Sequence, residues 1–327
     1  MVSSEILSQA ANSFRFDIET LKFISNSCNE VYRFNKDNKA YFLRLSEKPI
    51  EFVSNIKAEV HWVRYLVESG VRASLPIQNG EGELTAVCND QEKCYIATVF
   101  EGAPGKFFDS DPQLWGPGLF NTWGETMGLM YRLTKSYDPG ELKYKRMEWK
   151  GAEINSPHLH SGNYLILLNK LRFVEEQLKN LPRSKDSYGL IHYDFHPYNF
   201  LIDQEKITVF DFDDSLYGWY ALDIGIAATH AVWWGSHFKD WRSKNEFAMH
   251  FLFEFLEGYL KQNNIESDWI QRIPLFMEYR NISSFFWWLN NWDGDEAHLT
   301  EFQRKAIIDT VGIIERDVPF DGCNIKL

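Results

Sequence analysis

Three polar residues at fixed spacing could do chemistry: His192, Asp194 and Asn199, in the run His192-Tyr193-Asp194-Phe195-His196-Pro197-Tyr198-Asn199. Asn199 opens the stretch NFLID (199–203). Gln204-Glu205 separate that stretch from KITVF (206–210), which runs into Asp211-Phe212-Asp213-Asp214. Two short runs joined by two residues predict a β-hairpin. A hairpin returns the chain to where it started, so Asn199 and Asp211 come to the same end. An amide oxygen and a carboxylate placed together suit Mg²⁺, which takes few protein oxygens and fills its shell with phosphate and water. Asp194, one loop earlier, is then free to accept or orient the proton of an attacking hydroxyl. Phosphoryl transfer needs little more, because the protein mainly positions groups and neutralises charge. The bland reading makes all three residues caps and turn formers. The ordered company they keep favours the chemical one, with His192 and His196 holding the loop.

Such groups need a scaffold. The first hundred residues read as a sheet with one or two helices. Asp17 to Phe34 predicts two strands around a turn at 25–29, and KAYFLRL (39–45) and CYIATVF (94–100) predict further strands. Ile56, Val60, Val63 and Val67 share one helical face, with Gly70 as the stop. Gly102, Pro104, Gly105, Asp111-Pro112 and Gly116-Pro117 then mark a boundary. Beyond it, Leu119, Trp123, Met127, Met130 and Leu133 recur at helical spacing, as do Tyr164, Leu167, Leu168, Leu171, Val174 and Leu178. The expected architecture is α+β. A small antiparallel-sheet lobe covers 1–101 and a larger helical lobe covers 102–327.

The segment LIHYDFHPYNFLID…ITVFDFDD…ALDIG resembles the aminoglycoside phosphotransferase / choline kinase-like family, which has a two-lobed protein-kinase-like fold. The resemblance implies a kinase using Mg²⁺ and ATP or GTP, with an alcohol group as acceptor. It implies Asp194 as the catalytic residue, Asn199 and Asp211 as metal ligands, and Asp223 as a brace for the catalytic loop. The match continues in order through the N-terminal part. Arg44 stands where the family places a cation for the nucleotide phosphates, and Glu59 where its partner lies. Arginine pairs well with both phosphate and carboxylate. The turn before Glu30 takes the place of the phosphate-covering loop but has no glycine, so contacts fall to backbone N–H groups and to Ser27 and Asn29. Val99-Phe100-Glu101-Gly102 is placed like the hinge, with Phe100 and Gly102 at the purine edge.

Departures from the protein-kinase pattern bear on the acceptor. Asp211-Phe212 is followed by Asp213 rather than glycine, only eleven residues lie between Asp211 and Asp223, and no Ala-Pro-Glu follows. That leaves little room for an activation loop. A small polar acceptor is therefore favoured: an aminoglycoside, choline, ethanolamine, homoserine, methylthioribose, or another sugar or amino alcohol. An atypical Ser/Thr protein kinase is the second reading, and a non-catalytic nucleotide-binding protein the third. Asp213 reads either as a second metal ligand or as a substrate carboxylate. Phe285, Leu289 and Trp292 fall at core spacing, yet the stretch runs into Asp293 and Asp295. Aromatic faces beside carboxylates suit an amine. Trp288, Trp292, Asp293 and Asp295 are accordingly candidate acceptor residues.

Composition bounds the partners. The 327 residues carry 34 Lys plus Arg against 46 Asp plus Glu, a net charge of −12. That argues against a nucleic-acid partner, which needs a basic face, and is compatible with a cationic acceptor. No run reaches the ~18 apolar residues of a membrane span. The opening MVSSEILSQAAN has an acid and no base, unlike a signal peptide. Cys28, Cys88, Cys94 and Cys323 form no metal spacing and no disulfide framework. These features predict a cytoplasmic protein without nucleic-acid or membrane partners; a monomer or homodimer is expected.

Overall fold

The computed structural model describes residues 2–90, 93–160, 162–235, 240–290 and 292–327. An amphipathic helix, α1 (Ser4–Phe14), comes first, with the Ser3 hydroxyl accepting the Ile6 N–H as its cap. Its Ile6, Ala10 and Phe14 bury against a five-stranded antiparallel sheet, with Phe34, Leu43, Leu45 and Val99 in the same cluster. The strands are β1 (Lys22–Asn26), β2 (Glu30–Lys36), β3 (Lys39–Glu47), β4 (Ala86–Asn89) and β5 (Cys94–Glu101), in the order β1-β2-β3-β5-β4. The expected turn at 25–29 shrinks to 27–29, because Ser25 and Asn26 pair with Val31 and Glu30.

Helix α2 (Val53–Glu68) lies between β3 and β4 in the chain. Its Trp62, Val63 and Leu66 belong to the large core of the helical part, so it ties the sheet to that part. The helical part contains α3 (Pro117–Thr134), α4 (Gly162–Lys179), α5 (Tyr220–Gly235), α6 (Trp241–Leu260), the single turn α7 (Ser267–Ile270), α8 (Ile273–Leu289) and α9 (Glu301–Glu315). Helix α5 is apolar on all sides and buried almost throughout, as a central helix must be. Helices α3 and α6 meet backbone to backbone. A Cβ on Gly124 would stand 1.8 Å from the Phe255 carbonyl oxygen, and one on Gly258 1.9 Å from that of Asn121.

Two small antiparallel pairs carry the loops of interest: β6 (Tyr188–Ile191) with β9 (Leu216–Trp219), and β7 (Phe200–Asp203) with β8 (Lys206–Val209). The β7–β8 turn sets both Gln204 (φ 50°) and Glu205 (φ 64°) in the left-handed region, the geometry a two-residue hairpin needs. An α+β kinase-like architecture is therefore present, as the sequence predicts. Among the described residues no helix is long and apolar enough to cross a membrane.

Candidate active site

The loop between β6 and β7 holds the first group of polar residues, and a buried carboxylate shapes it. Asp223, at the start of α5, accepts the backbone N–H of His192 (2.9 Å) and of Tyr193 (2.9 Å) and the hydroxyl of Tyr131. This fixes Tyr193 in the left-handed region (φ 68°) and turns Asp194 toward the cleft. Burial pushes Asp223 up to about 7 against those hydrogen bonds. His192 is fully buried, with its Nε2 3.1 Å from the Phe210 carbonyl and its ring against Phe195 and Phe212. A carbonyl only accepts, so Nε2 carries the hydrogen; burial holds the ring neutral, down to about 4.

Asp194 is held on both oxygens. Its Oδ1 accepts from Nη2 of Arg280 on α8. Its Oδ2 accepts from His196 Nε2 and from Asn199 Nδ2, each at 3.1 Å. Burial opposes the charge, but the His196 hydrogen bond and the Arg280 guanidinium outweigh it and hold the carboxyl well below its usual range.

Asn199 also donates to the Asp194 carbonyl (2.9 Å), which commits its nitrogen and leaves its oxygen as an acceptor. Its own carbonyl accepts the Phe210 N–H at 2.9 Å. The hairpin therefore closes beside it and delivers Asp211, whose φ of 63° is rare for a residue other than glycine. Asp211 and Asp214 reach solvent, yet the cleft walls strip much of their water. That desolvation, with Asp213 and Asp194 as added negative charge on both, Glu59 on Asp211 and Asp211 on Asp214, pushes Asp211 up to about 6 and Asp214 up to about 7. Hard oxygen donors in a surplus of carboxylates fit a divalent cation. Among the described residues no three His, Cys, Asp or Glu side chains form a cage of their own. A metal here would be shared with a ligand's oxygens.

The sheet supplies a cation opposite these groups. Arg44 on β3 grips Glu59 on α2 with two hydrogen bonds, 2.8 and 2.9 Å, and both side chains are buried. Its guanidinium lies over the Phe100 ring at 5.2 Å, while its Nε is buried with no partner. A buried donor left free is costly unless a ligand takes it. Asp213 stands 3.6 Å from Arg44 and accepts the Asn29 amide at 2.7 Å, so it links the glycine-free turn to the β8–β9 loop. Arg44 and Asn29, with burial opposing, keep Asp213 below its ordinary value. Ser27 is exposed at the tip of the same turn. At the end of β5, the N–H groups of Glu101 and Gly102 are committed to the Leu75 and Ala40 carbonyls.

Two sets of short contacts, Asp194 with Asn199 and Glu59–Arg44–Asp213–Asn29, thus form one cluster with Asp211, which feels the charges of both. Trp288, Trp292, Asp293 and Asp295 are not part of it. Arg280 touches Asp194, and Leu289, the end of α8, is about 14 Å further along the helix at ~1.5 Å per residue. There the Trp292 indole packs on Tyr164 and donates to the Asp295 carbonyl, Asp293 pairs with His298, and Trp288 packs on Phe285.

Two arginines escape a reading of the sequence. Arg280 is one. Arg146 is the other: buried, it donates to the Ser215 carbonyl (2.7 Å), the Asp213 carbonyl and Asn55, and lies 3.8 Å from Glu59. A signal for Arg280 was present. Glu278 and Arg280 are charges in an otherwise apolar run, and buried charges require partners. Glu278 finds Lys170 at 2.7 Å.

The model of the phosphotransferase enzyme family matches residues 20–262. The amicoumacin kinase of Bacillus subtilis (strain 168) is 30% identical over 280 residues, covering 85% of this chain and 82% of the relative. A solved structure of the amicoumacin kinase hAmiN, in complex with AMP-PNP, Ca²⁺ and Ami, superposes with a TM-score of 0.86 at 27% identity, covering 98% of this chain and 95% of that one. A microcompartment-associated aminopropanol kinase shares the fold, with a TM-score of 0.75 at 19% identity over 98% of this chain and 99% of its own. Arg44 and Glu59, Asp194 and Asn199, and Asp211 all fall inside the matched span. The chain belongs to the phosphotransferase enzyme family.

Proposed function

We propose that this protein moves the γ-phosphoryl group of ATP, with Mg²⁺, to a hydroxyl of a small polar molecule, and that an amicoumacin-type antibiotic is the first acceptor to try. One observation carries the reading. Asp194, Asn199 and Asp211 meet at one end of a hairpin, across a cleft from the buried Arg44–Glu59 pair whose Nε has no partner. The similarity to amicoumacin kinases, one of them solved with AMP-PNP, Ca²⁺ and Ami, supports both the nucleotide and the acceptor.

In this reading Arg44 holds nucleotide phosphates and Glu59 fixes Arg44, with Ser27 and Asn29 over the phosphates and Phe100 and Gly102 beside the base. The Asn199 oxygen and the Asp211 carboxylate hold the metal. Bound Mg²⁺ would supply charge neutralisation at the β and γ phosphates. Asp194 orients the acceptor hydroxyl. The acceptor oxygen bonds to the γ phosphorus, the bond to the β–γ bridging oxygen breaks, ADP leaves with that electron pair, and the acceptor proton passes by way of Asp194. Only eleven residues, β9 among them, lie between Asp211 and Asp223, which favours a small acceptor over a peptide. The test is mass spectrometry of amicoumacin incubated with the protein and Mg-ATP, beside a panel of amino alcohols and aminoglycosides. A gain of one phosphate is expected. Failure on every acceptor, with no acceptor-dependent use of ATP, would overturn the small-molecule reading.

The carboxylates give a second test. In the folded chain Asp211, Asp214 and Asp223 keep protons up to about 6 to about 7, which unfolded aspartates, with pKa near ~3.9, have already released. A raised folded-state pKa contributes stability at low pH that is lost as pH rises through it. His192, held neutral, acts in the opposite direction only below ~6.5. The thermal midpoint of the free protein is therefore expected to fall between about pH 6.5 and 8, and Mg-ATP should reduce that fall. A flat or rising midpoint without Mg-ATP, or an equal fall with it, would contradict the assignment.

A further inference from the structure

We infer that Arg280 is a positioning residue for Asp194, and that His230 holds Arg280 in turn, so that the acceptor hydroxyl meets a carboxylate of fixed orientation. The inference rests on the reading of Asp194 given above. A carboxylate offers about four acceptor sites, two on each oxygen. On Asp194, Oδ2 is taken twice, by His196 and Asn199, and Oδ1 once, by Arg280. One position remains, on Oδ1, next to the guanidinium. The acceptor hydroxyl takes that position.

Arg280 is itself restrained. It stands on α8 with its side chain 18% exposed, and its Nε donates to Nε2 of His230 at 3.0 Å. His230 is buried on α5, and an imidazole nitrogen that accepts carries no proton. His230 is therefore a neutral acceptor, which is what a guanidinium needs beside it. The ring is fixed by packing. It stacks on His196 at 4.9 Å with an 18° tilt and sits against Trp233 and Trp234 at 4.8 and 4.7 Å.

These contacts close a ring around the carboxylate. His196 holds Oδ2 directly, His230 holds Oδ1 through Arg280, and the two imidazoles pack on each other. Asn199, at the end of the same loop as His196, completes the hold. Three separate elements, α5, α8 and the β6–β7 loop, thus fix one side chain. Small misplacement of a reacting group is enough to cost about 100-fold in rate, so loosening this clamp should appear in turnover rather than in nucleotide binding.

The experiment compares Arg280→Gln, Arg280→Lys and Asp194→Asn with the double variant of Arg280→Gln and Asp194→Asn. Amicoumacin and water serve as the two acceptors, each with Mg-ATP. Arg280→Gln is expected to lower kcat about 100-fold with KM for ATP changed less than about twofold. Arg280→Lys, which keeps the charge, should recover part of the loss. The double variant should be no slower than Asp194→Asn alone, because a positioning residue has nothing left to position. A folded Arg280→Gln with wild-type kcat, or losses that multiply in the double variant, would overturn the inference. An Asp194→Asn protein as fast as wild type would overturn the reading of Asp194 instead, so the two failures differ in which variant stays active.

Discussion

Replacing Asp194 by Asn is expected to slow phosphoryl transfer about 10³-fold, the range of a positioned proton acceptor, while Mg-ATP affinity changes less than about twofold. The change removes one charge and keeps the shape. An amide has one oxygen where the carboxylate has two, and both carboxylate oxygens now face donors: Arg280 on one side, His196 and Asn199 on the other. Whichever way the amide turns, its NH₂ meets a donor, and neither orientation offers a base to the acceptor hydroxyl. The groups proposed to hold the nucleotide are untouched, since Arg44 bonds to Glu59 and lies near Asp213. Rapid-quench turnover and calorimetric titration of Mg-ATP separate the two effects. A variant that keeps more than about a tenth of the rate would remove Asp194 from the chemistry.

The largest expected loss of stability lies where α3 meets α6. Gly124→Ala places a methyl 1.8 Å from the Phe255 carbonyl oxygen, inside any allowed contact, and the obstacle is helix backbone. Helices α3 and α6 must part, and the ring contacts of Trp123 with Phe251 and Phe255 part with them. Overpacking a filled interior costs about 1–3 kcal/mol and sometimes more; the upper end applies here because the neighbour cannot rotate away. At ~0.7 kcal/mol/K of unfolding entropy for a chain of this length, a fall of about 4 °C in the thermal midpoint is expected. Gly118→Ala, on the same helix with open space around it, is the control and should stabilise by up to ~1 kcal/mol. Equal midpoints for the two variants would refute the close approach.

What could be read in advance follows from how far apart the partners are. Asn199 and Asp211 belong to one hairpin, and two strands with a two-residue turn are visible from local pattern alone. Helix α2 showed itself through Ile56, Val60, Val63 and Val67 for the same reason. Helix α1 is equally local, with Ser3 as cap and Ile6, Ala10 and Phe14 on one face. The Asp194–Arg280 contact spans 86 residues, and nothing local says which neighbour α8 turns that face toward. The same limit applies to Trp288, Trp292, Asp293 and Asp295. Adjacency in sequence says they neighbour one another, not which wall they line.

The Asn29–Asp213 contact has a kinetic consequence. A phosphate-covering turn rich in glycine can lift on its own. This turn has no glycine, and one of its side chains is bonded across the cleft to a carboxylate. Lifting it and parting the two halves of the molecule become one motion. A hydrogen bond to a charged group contributes about 1.5–3 kcal/mol, and each ~1.4 kcal/mol added to a barrier slows passage tenfold. Nucleotide exchange is therefore expected to be slower by about one to two orders of magnitude than with a free turn.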